Sequence, residues 1–175
     1  MITIISGTNR NGSNSKKIAL EYQRIFKENG ISAYFFSLED NNVMQYDAAF
    51  KRFEDEVIIP TTHFIFIIPE YNGSFPGVLK MLFDNSRSHD IWFHKKALLT
   101  GIATGKAGNL RGMDHLADIL NFVKITVHPN KLPISDVDRL LDTEGNIIDD
   151  DTIGAIKQQV SEFISWGFIP AGNTA

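Results

Sequence analysis

A chain of 175 residues, 43% hydrophobic and 22% charged, is long enough for one domain with a sizeable core and too short for two comfortable ones. The absence of cysteine excludes disulfides, thiolate zinc sites, dithiol redox chemistry and a cysteine nucleophile, so any redox activity must reside in a bound cofactor. A formal charge of −4 with scattered Lys and Arg argues against a nucleic-acid surface, which needs clustered cations to neutralise phosphates.

Residues 2–6 read as a short β-branched strand that empties into the turn formers Gly7 to Asn14. No basic leader precedes it and no apolar run approaches the length of a membrane span, so a cytoplasmic protein with no membrane partner is expected. Ile18, Tyr22, Ile25 and Phe26 recur at helical spacing up to an Asn29-Gly30 cap. Ile31 to Leu38 reads as a second strand, Glu39 to Asp47 as a polar loop and Ala48 to Val57 as a short helix. His63 to Ile68 is apolar at nearly every position, as a central parallel strand buried on both faces would be.

Pro69 to Ser74 forms the next loop, and a helix starting at Phe75-Pro76-Gly77 carries Val78, Leu79, Leu82 and Phe83. Lys96 to Ala103 follows as a strand, Thr104 to Asn109 as a glycine-bearing loop, Leu110 to Phe122 as a helix and Lys124 to Val127 as a last short strand. Asp149-Asp150-Asp151 lies where the positive end of a final helix, with Ile153, Ile156, Val160, Phe163 and Ile164 on one face, favours acids. Five strands alternating with helices predict an α/β fold with a doubly wound parallel sheet, every strand-to-helix loop lying along one edge.

Ligands of such sheets bind at that edge, where the strand order reverses. The first loop offers the hydroxyls of Thr8, Ser13 and Ser15, the amide of Asn14, the guanidinium of Arg10 and the free amides of a helix N-terminus, a combination suited to a terminal monophosphate. Gly7-x-x-x-x-Gly12 has P-loop spacing, but Ser13 and Asn14 stand where Lys and Ser or Thr belong, and the dinucleotide pattern Gly-x-Gly-x-x-Gly is absent. Ser13 or Asn14, taken alone, serves equally well as a helix cap. The five histidines show no metal-ligand spacing, and Glu54-Asp55-Glu56 reads as a solvated helix end, so no metal is expected.

Gly7-Thr8-Asn9-Arg10-Asn11-Gly12-Ser13-Asn14 resembles the phosphate loop of the NADPH-dependent FMN reductase family, and the run from Pro69 to Lys80 resembles that family's flavin loop nearly position for position. The likeness continues through Asp84, Ser86-Arg87, the Thr104 to Gly108 loop and the Glu144-Gly145-Asn146 turn. Thr8 stands where the family usually has Ser, Asn85 where it has Trp, and Met81 where Asn is frequent. The resemblance implies a flavodoxin-like five-stranded sheet of order 2-1-3-4-5 with helices on both faces, a single domain over 1–175, FMN as cofactor and NADPH or NADH as co-substrate. It implies that Thr8, Arg10, Ser13, Asn14 and Ser15 hold the phosphate, that Pro69, Glu70, Tyr71, Asn72 and Gly73 lie along the pyrimidine edge and one side of the ring, and that Thr104, Gly105 and Lys106 approach its other flank.

The implied reaction is ping-pong, with hydride passing from NAD(P)H to flavin N5 and on to a quinone, azo, nitroaromatic or flavin acceptor in a homodimer or homotetramer. An electron carrier of the flavodoxin kind, or a flavin-binding regulator without turnover, is the alternative. No side chain is required as acid or base. Lys106 is either near the pyrimidine or a solvated loop lysine, the second being favoured. Arg111 either meets a nicotinamide phosphate or pairs with Asp114, and the surface pair is favoured. Tyr71, Phe75 and Trp92 are candidates to flank a planar ring, Phe75 and Trp92 being as well suited to the core.

Overall fold

The computed structural model describes residues 1–167; residues 168–175, the end of the expected 1–175 domain, lie outside the described residues. Strands β1 (Ile2–Ser6), β2 (Ala33–Ser37), β3 (His63–Pro69), β4 (Lys96–Ile102), β5 (Thr126–Val127) and β6 (Leu132–Ile134) form one parallel sheet of order β2-β1-β3-β4-β5, with β6 also on β4. Helices α1 (Asn14–Glu28), α2 (Ala48–Phe53), α3 (Gly77–Asp84), α4 (Leu110–Phe122) and α5 (Asp150–Gly167) cover both faces. This is the expected 2-1-3-4-5 order.

Side chains alternate across the sheet, and the apolar strands feed two cores. Phe64, Phe66 and Ile68 of β3 join Leu82, Phe83, Leu116 and Leu120 from α3 and α4, while Ile65 and Ile67 join Ile18, Tyr22, Ile156 and Phe163 from α1 and α5. Every residue of β3 except Pro69 is buried. Trp92 belongs to the first core, its ring against Phe64 and Phe83, and Phe75 packs partly buried on the same cluster. Trp92, wholly buried, is not placed to flank a ligand ring.

The fifth position of the sheet holds two short pieces where one strand is expected. β5 pairs with Lys96 and Ala97, β6 with Thr100 to Ile102, and the chain between them detours through Pro129, which has no N–H to give to a ladder. The carbonyl that the break leaves at Leu99 accepts instead from Gln159 Nε2 at 3.1 Å. Gln159 also donates to Asn130 O at 2.8 Å and accepts from Tyr22 Oη and Thr100, so this buried polar cluster closes on itself.

The Ala48 to Val57 helix is seen as α2 continued by a π-helical turn over Glu54–Ile58. Contrary to expectation, Glu54 is not a solvated helix end. It is wholly buried, accepts from the Arg87 backbone N–H and Tyr46 Oη at 2.8 Å each, and pairs with the Arg87 guanidinium at 3.0 Å. Below the same segment the Lys95 ammonium donates to the carbonyls of Ile58, Ile59 and Thr61 at 2.5 to 2.9 Å, and burial pulls its pKa down to about 8. No helix among the described residues is long and apolar enough to cross a membrane.

Candidate functional site

The loops after β1, β3 and β4 meet at the carboxyl edge of the sheet, and each is held there by a specific device. Gly7 N donates to Ile67 O at 2.9 Å, and a side chain at Gly7 would meet Ile68, Ile67 O and Leu79 within 3.0 to 3.2 Å. Past it, Gly12 takes φ +62, and Ser13 caps α1, its hydroxyl accepting from Lys16 N at 3.2 Å. The first amides of the helix are thereby left pointing out of its end.

The loop after β3 is a tight hairpin. Tyr71 and Ser74 exchange backbone hydrogen bonds of 2.8 and 3.1 Å around Asn72 (φ +52) and Gly73 (φ +81), the left-handed pair that an Asn-Gly turn favours. The Glu70 carboxylate accepts from Gly73 N and so braces the turn. The loop after β4 carries three successive residues of positive φ, Ala107, Gly108 and Asn109. A side chain at Gly108 would lie 2.5 Å from Ile134 N, so the loop is pressed directly onto β6.

Asn109 joins the loops. Buried, it caps α4 by accepting from Gly112 N at 3.1 Å and donates to Ile68 O and Pro69 O at 3.2 and 2.9 Å. The Glu70 N–H reaches Ile102 O at 2.9 Å beside it. Nothing in the residue pattern marks Asn109 beyond ending a loop, because its partners are carbonyls about forty residues away.

These loops enclose a cleft of about 270 Å³ lined by Thr8, Arg10 to Ser15, Pro69 to Tyr71, Ile102 to Thr104, Val137 and Asp138. Nine of the thirteen residues singled out from the sequence thus meet there: Thr8, Arg10, Ser13, Asn14 and Ser15 with Pro69, Glu70, Tyr71 and Thr104. Asn72 and Gly73 form the hairpin tip outside the lining, and Gly105 and Lys106 are exposed beyond it. Val137 and Asp138 were not anticipated; they come from a single 3-10 turn, Val137–Arg139, brought in after β6.

Inside the cleft the side chains organise one another. Thr8 Oγ1 and Tyr71 Oη are 2.8 Å apart, Arg10 N donates to Thr8 Oγ1 at 3.3 Å, and the Arg10 guanidinium stacks over the Tyr71 ring at 4.6 Å. Asn14 Nδ2 donates to Asp138 at 2.6 Å, and Lys17 donates to Asn14 Oδ1 at 3.3 Å, so Asn14 bridges to the far wall. Ser15 differs from all of these. Its hydroxyl is buried and has no hydrogen-bond partner. A buried polar atom without a partner is rare in a folded protein, and this one belongs to a residue of the cleft lining.

Arg111 does not pair with Asp114, as the sequence favoured. Asp114 is taken by Lys131 from the β5–β6 detour. Among the described residues no group of three or more His, Asp or Glu side chains is arranged to hold a metal ion.

Similar proteins share this architecture. The family model for NADPH-dependent FMN reductase matches residues 1–138. An NAD(P)H-dependent FMN reductase of Pseudomonas aeruginosa is 32% identical over 133 residues, covering 73% of this chain and 70% of that protein. A 2-hydroxy-1,4-benzoquinone reductase of a Burkholderia species is 26% identical over 131 residues, 73% of this chain and 69% of the other. In three dimensions the flavoenzyme NAD(P)H:(acceptor) oxidoreductase FerB of Paracoccus denitrificans superposes with a TM-score of 0.78 at 22% identity, covering 94% of this chain and 95% of its own. With a cleft at the switch point of a 2-1-3-4-5 sheet and the family model spanning its loops, the chain belongs to the NADPH-dependent FMN reductase family, oxidoreductases with FMN as cofactor and NAD(P)H as co-substrate.

Proposed function

We propose that this chain, as a single flavin domain, reduces quinones and related small acceptors with NAD(P)H, and that the cleft after β1, β3 and β4 holds the FMN phosphate and ribityl chain. The observation that carries the reading is the unpartnered buried hydroxyl of Ser15 in a cleft that also ends on a helix N-terminus. Hydroxyls, amides and one guanidinium around such a space fit a dianionic monophosphate. The residues present therefore fit the cofactor.

When bound, FMN would supply the redox chemistry, two-electron transfer between the reduced nicotinamide and the acceptor. Around it the chain binds and orients. Ser13, Ser15 and the amides opening α1 take the phosphate, with Arg10 held over Tyr71 to neutralise it. The hairpin Pro69 to Gly73, locked by Glu70 and Asn109, presents backbone donors and acceptors along the pyrimidine edge, and Thr104, Gly105 and Lys106 flank the opposite side. Glu70 is committed to the turn, so no carboxylate of the hairpin is needed as a proton carrier. The quinone class is supported by the benzoquinone reductase among the relatives.

Assembly as a homodimer or homotetramer, which would supply the outer wall of the acceptor site, and residence in the cytoplasm, where NAD(P)H is regenerated, belong to the same proposal. Purified protein should bind FMN with a yellow spectrum that bleaches rapidly when NADPH or NADH is added without oxygen. Protein that takes up no FMN would reject the proposal, and a yellow protein that neither dinucleotide bleaches would point to an electron carrier.

A further inference from the structure

Helix α4 turns Arg111 and His115 toward the hairpin after β3. Arg111 and His115, one turn apart, share a face of the helix. His115 Nδ1 and Ser74 Oγ lie 2.9 Å apart, which fastens the helix to the end of the hairpin. Arg111 lies over Gly73 itself: a Cβ built on that glycine would be 2.8 Å from Arg111 Nη1. The guanidinium is exposed and has no carboxylate within ion-pairing distance among the described residues, since Asp114, its neighbour on the helix, is held by Lys131.

An unneutralised guanidinium seated on a glycine, at the positive end of a 13-residue helix, is a ready contact for a phosphate approaching from solvent. The inner residue of the same hairpin, Tyr71, lines the cofactor cleft. A dinucleotide whose nicotinamide meets a ring held by that hairpin would have Arg111, over Gly73 on the hairpin's outer side, within the reach of its phosphates.

We propose that Arg111, positioned by the Gly73 hairpin and backed by His115, is the phosphate contact for the reduced nicotinamide dinucleotide. It sets the affinity for the reductant and not for FMN. This rests on the flavin-reductase reading above. The phosphate is either the 2′-phosphate that NADPH alone carries or the pyrophosphate common to both dinucleotides.

The test uses FMN-loaded protein, with KM for NADPH and for NADH measured on a quinone acceptor, and calorimetric titration with 2′,5′-ADP and with ADP. Arg111→Gln should raise the reductant KM about tenfold, the scale of one charge-assisted hydrogen bond, with kcat and FMN content unchanged. Arg111→Lys should recover part of the loss, and Lys51→Gln, which removes a charge on α2, should change nothing. A rise for NADPH alone, matched by weaker binding of 2′,5′-ADP only, assigns the 2′-phosphate. An equal rise for both dinucleotides, with both adenine nucleotides weakened, assigns the pyrophosphate. Unchanged KM and unchanged nucleotide binding in Arg111→Gln, or an equal effect of Lys51→Gln, overturns the proposal. Wild-type protein that holds no FMN fails the flavin reading instead, and does so before any variant is made.

Discussion

Ser13 and Ser15 stand two positions apart and do different work. Ser13 holds the helix start through Lys16 N, while Ser15 is buried with its hydroxyl idle. Ser13→Ala should therefore lower the stability of the cofactor-free protein by about 1 kcal/mol and also weaken FMN. Ser15→Ala should leave that stability unchanged or slightly raised and weaken FMN by about 1–3 kcal/mol, as expected for a lost bond to a charged phosphate. Urea unfolding and flavin-fluorescence titration of the two variants separate these roles; equal losses of FMN affinity and stability at Ser15 would contradict the assignment. The residue pattern offered both serines to the phosphate and named capping as the other role of Ser13. Only the coordinates show that the Ser13 hydroxyl accepts the cap bond while that of Ser15 has no partner. Lys95 is a similar case on the stability side. Lys95→Met would leave three carbonyls at the end of the π-helical turn without their donor, and should cost about 2 kcal/mol in urea unfolding at pH 7.

At the scale of elements, the site depends on how the loops after β3 and β4 are tied. Asn109→Ala removes the α4 cap and both donations to the end of β3, and it puts alanine at φ +60. Together these should cost about 2–3 kcal/mol in urea unfolding and loosen FMN in flavin-fluorescence titration. Gly73 needs glycine for its φ of +81 more than for room, since the atom facing it is the mobile tip of Arg111. Most elements were legible from periodicity and turn chemistry, and the Asn72-Gly73 pair even carries the signal of a hairpin turn. The two-piece strand at the fifth position was not, because the Gln159 bond that replaces the missing rung comes from a helix far along the chain. Glu54 misled for a related reason. An acidic triplet at a helix end looks solvated until Arg87 and Tyr46 fold over its first member.

Over the whole molecule, charge links folding to pH most clearly in the last third of the chain. Asp142 is held below the ordinary carboxylate value of 3.8 by bonds from Asn146 and the turn amides, and Asp149 by the Thr152 hydroxyl and amide. A lowered folded pKa means that the unfolded chain takes up protons first as pH falls. The stability these carboxylates confer is present above the ordinary value and is lost as pH falls through the lower, folded values. The urea midpoint should thus decline below about pH 4, and Asp142→Asn should flatten that decline; an unchanged profile would remove Asp142 from the acid transition.

The sequence by itself determined the class of fold and the chemistry available: without cysteine, electrons must travel through a bound cofactor, and apolar strands alternating with helices give a doubly wound sheet, while the strand order and the flavin family came from the resemblance of its loops to those of FMN reductases. It also located the phosphate and hairpin loops, because turns and helix starts are encoded by neighbouring residues. The tertiary structure alone decided the pairing of distant groups. It gave Asp114 to Lys131 and left Arg111 over Gly73, brought Asp138 to Asn14, and let Asn109 tie two loops together. Local propensity acts within a few residues of chain, whereas these contacts depend on where the sheet places segments that are tens of residues apart.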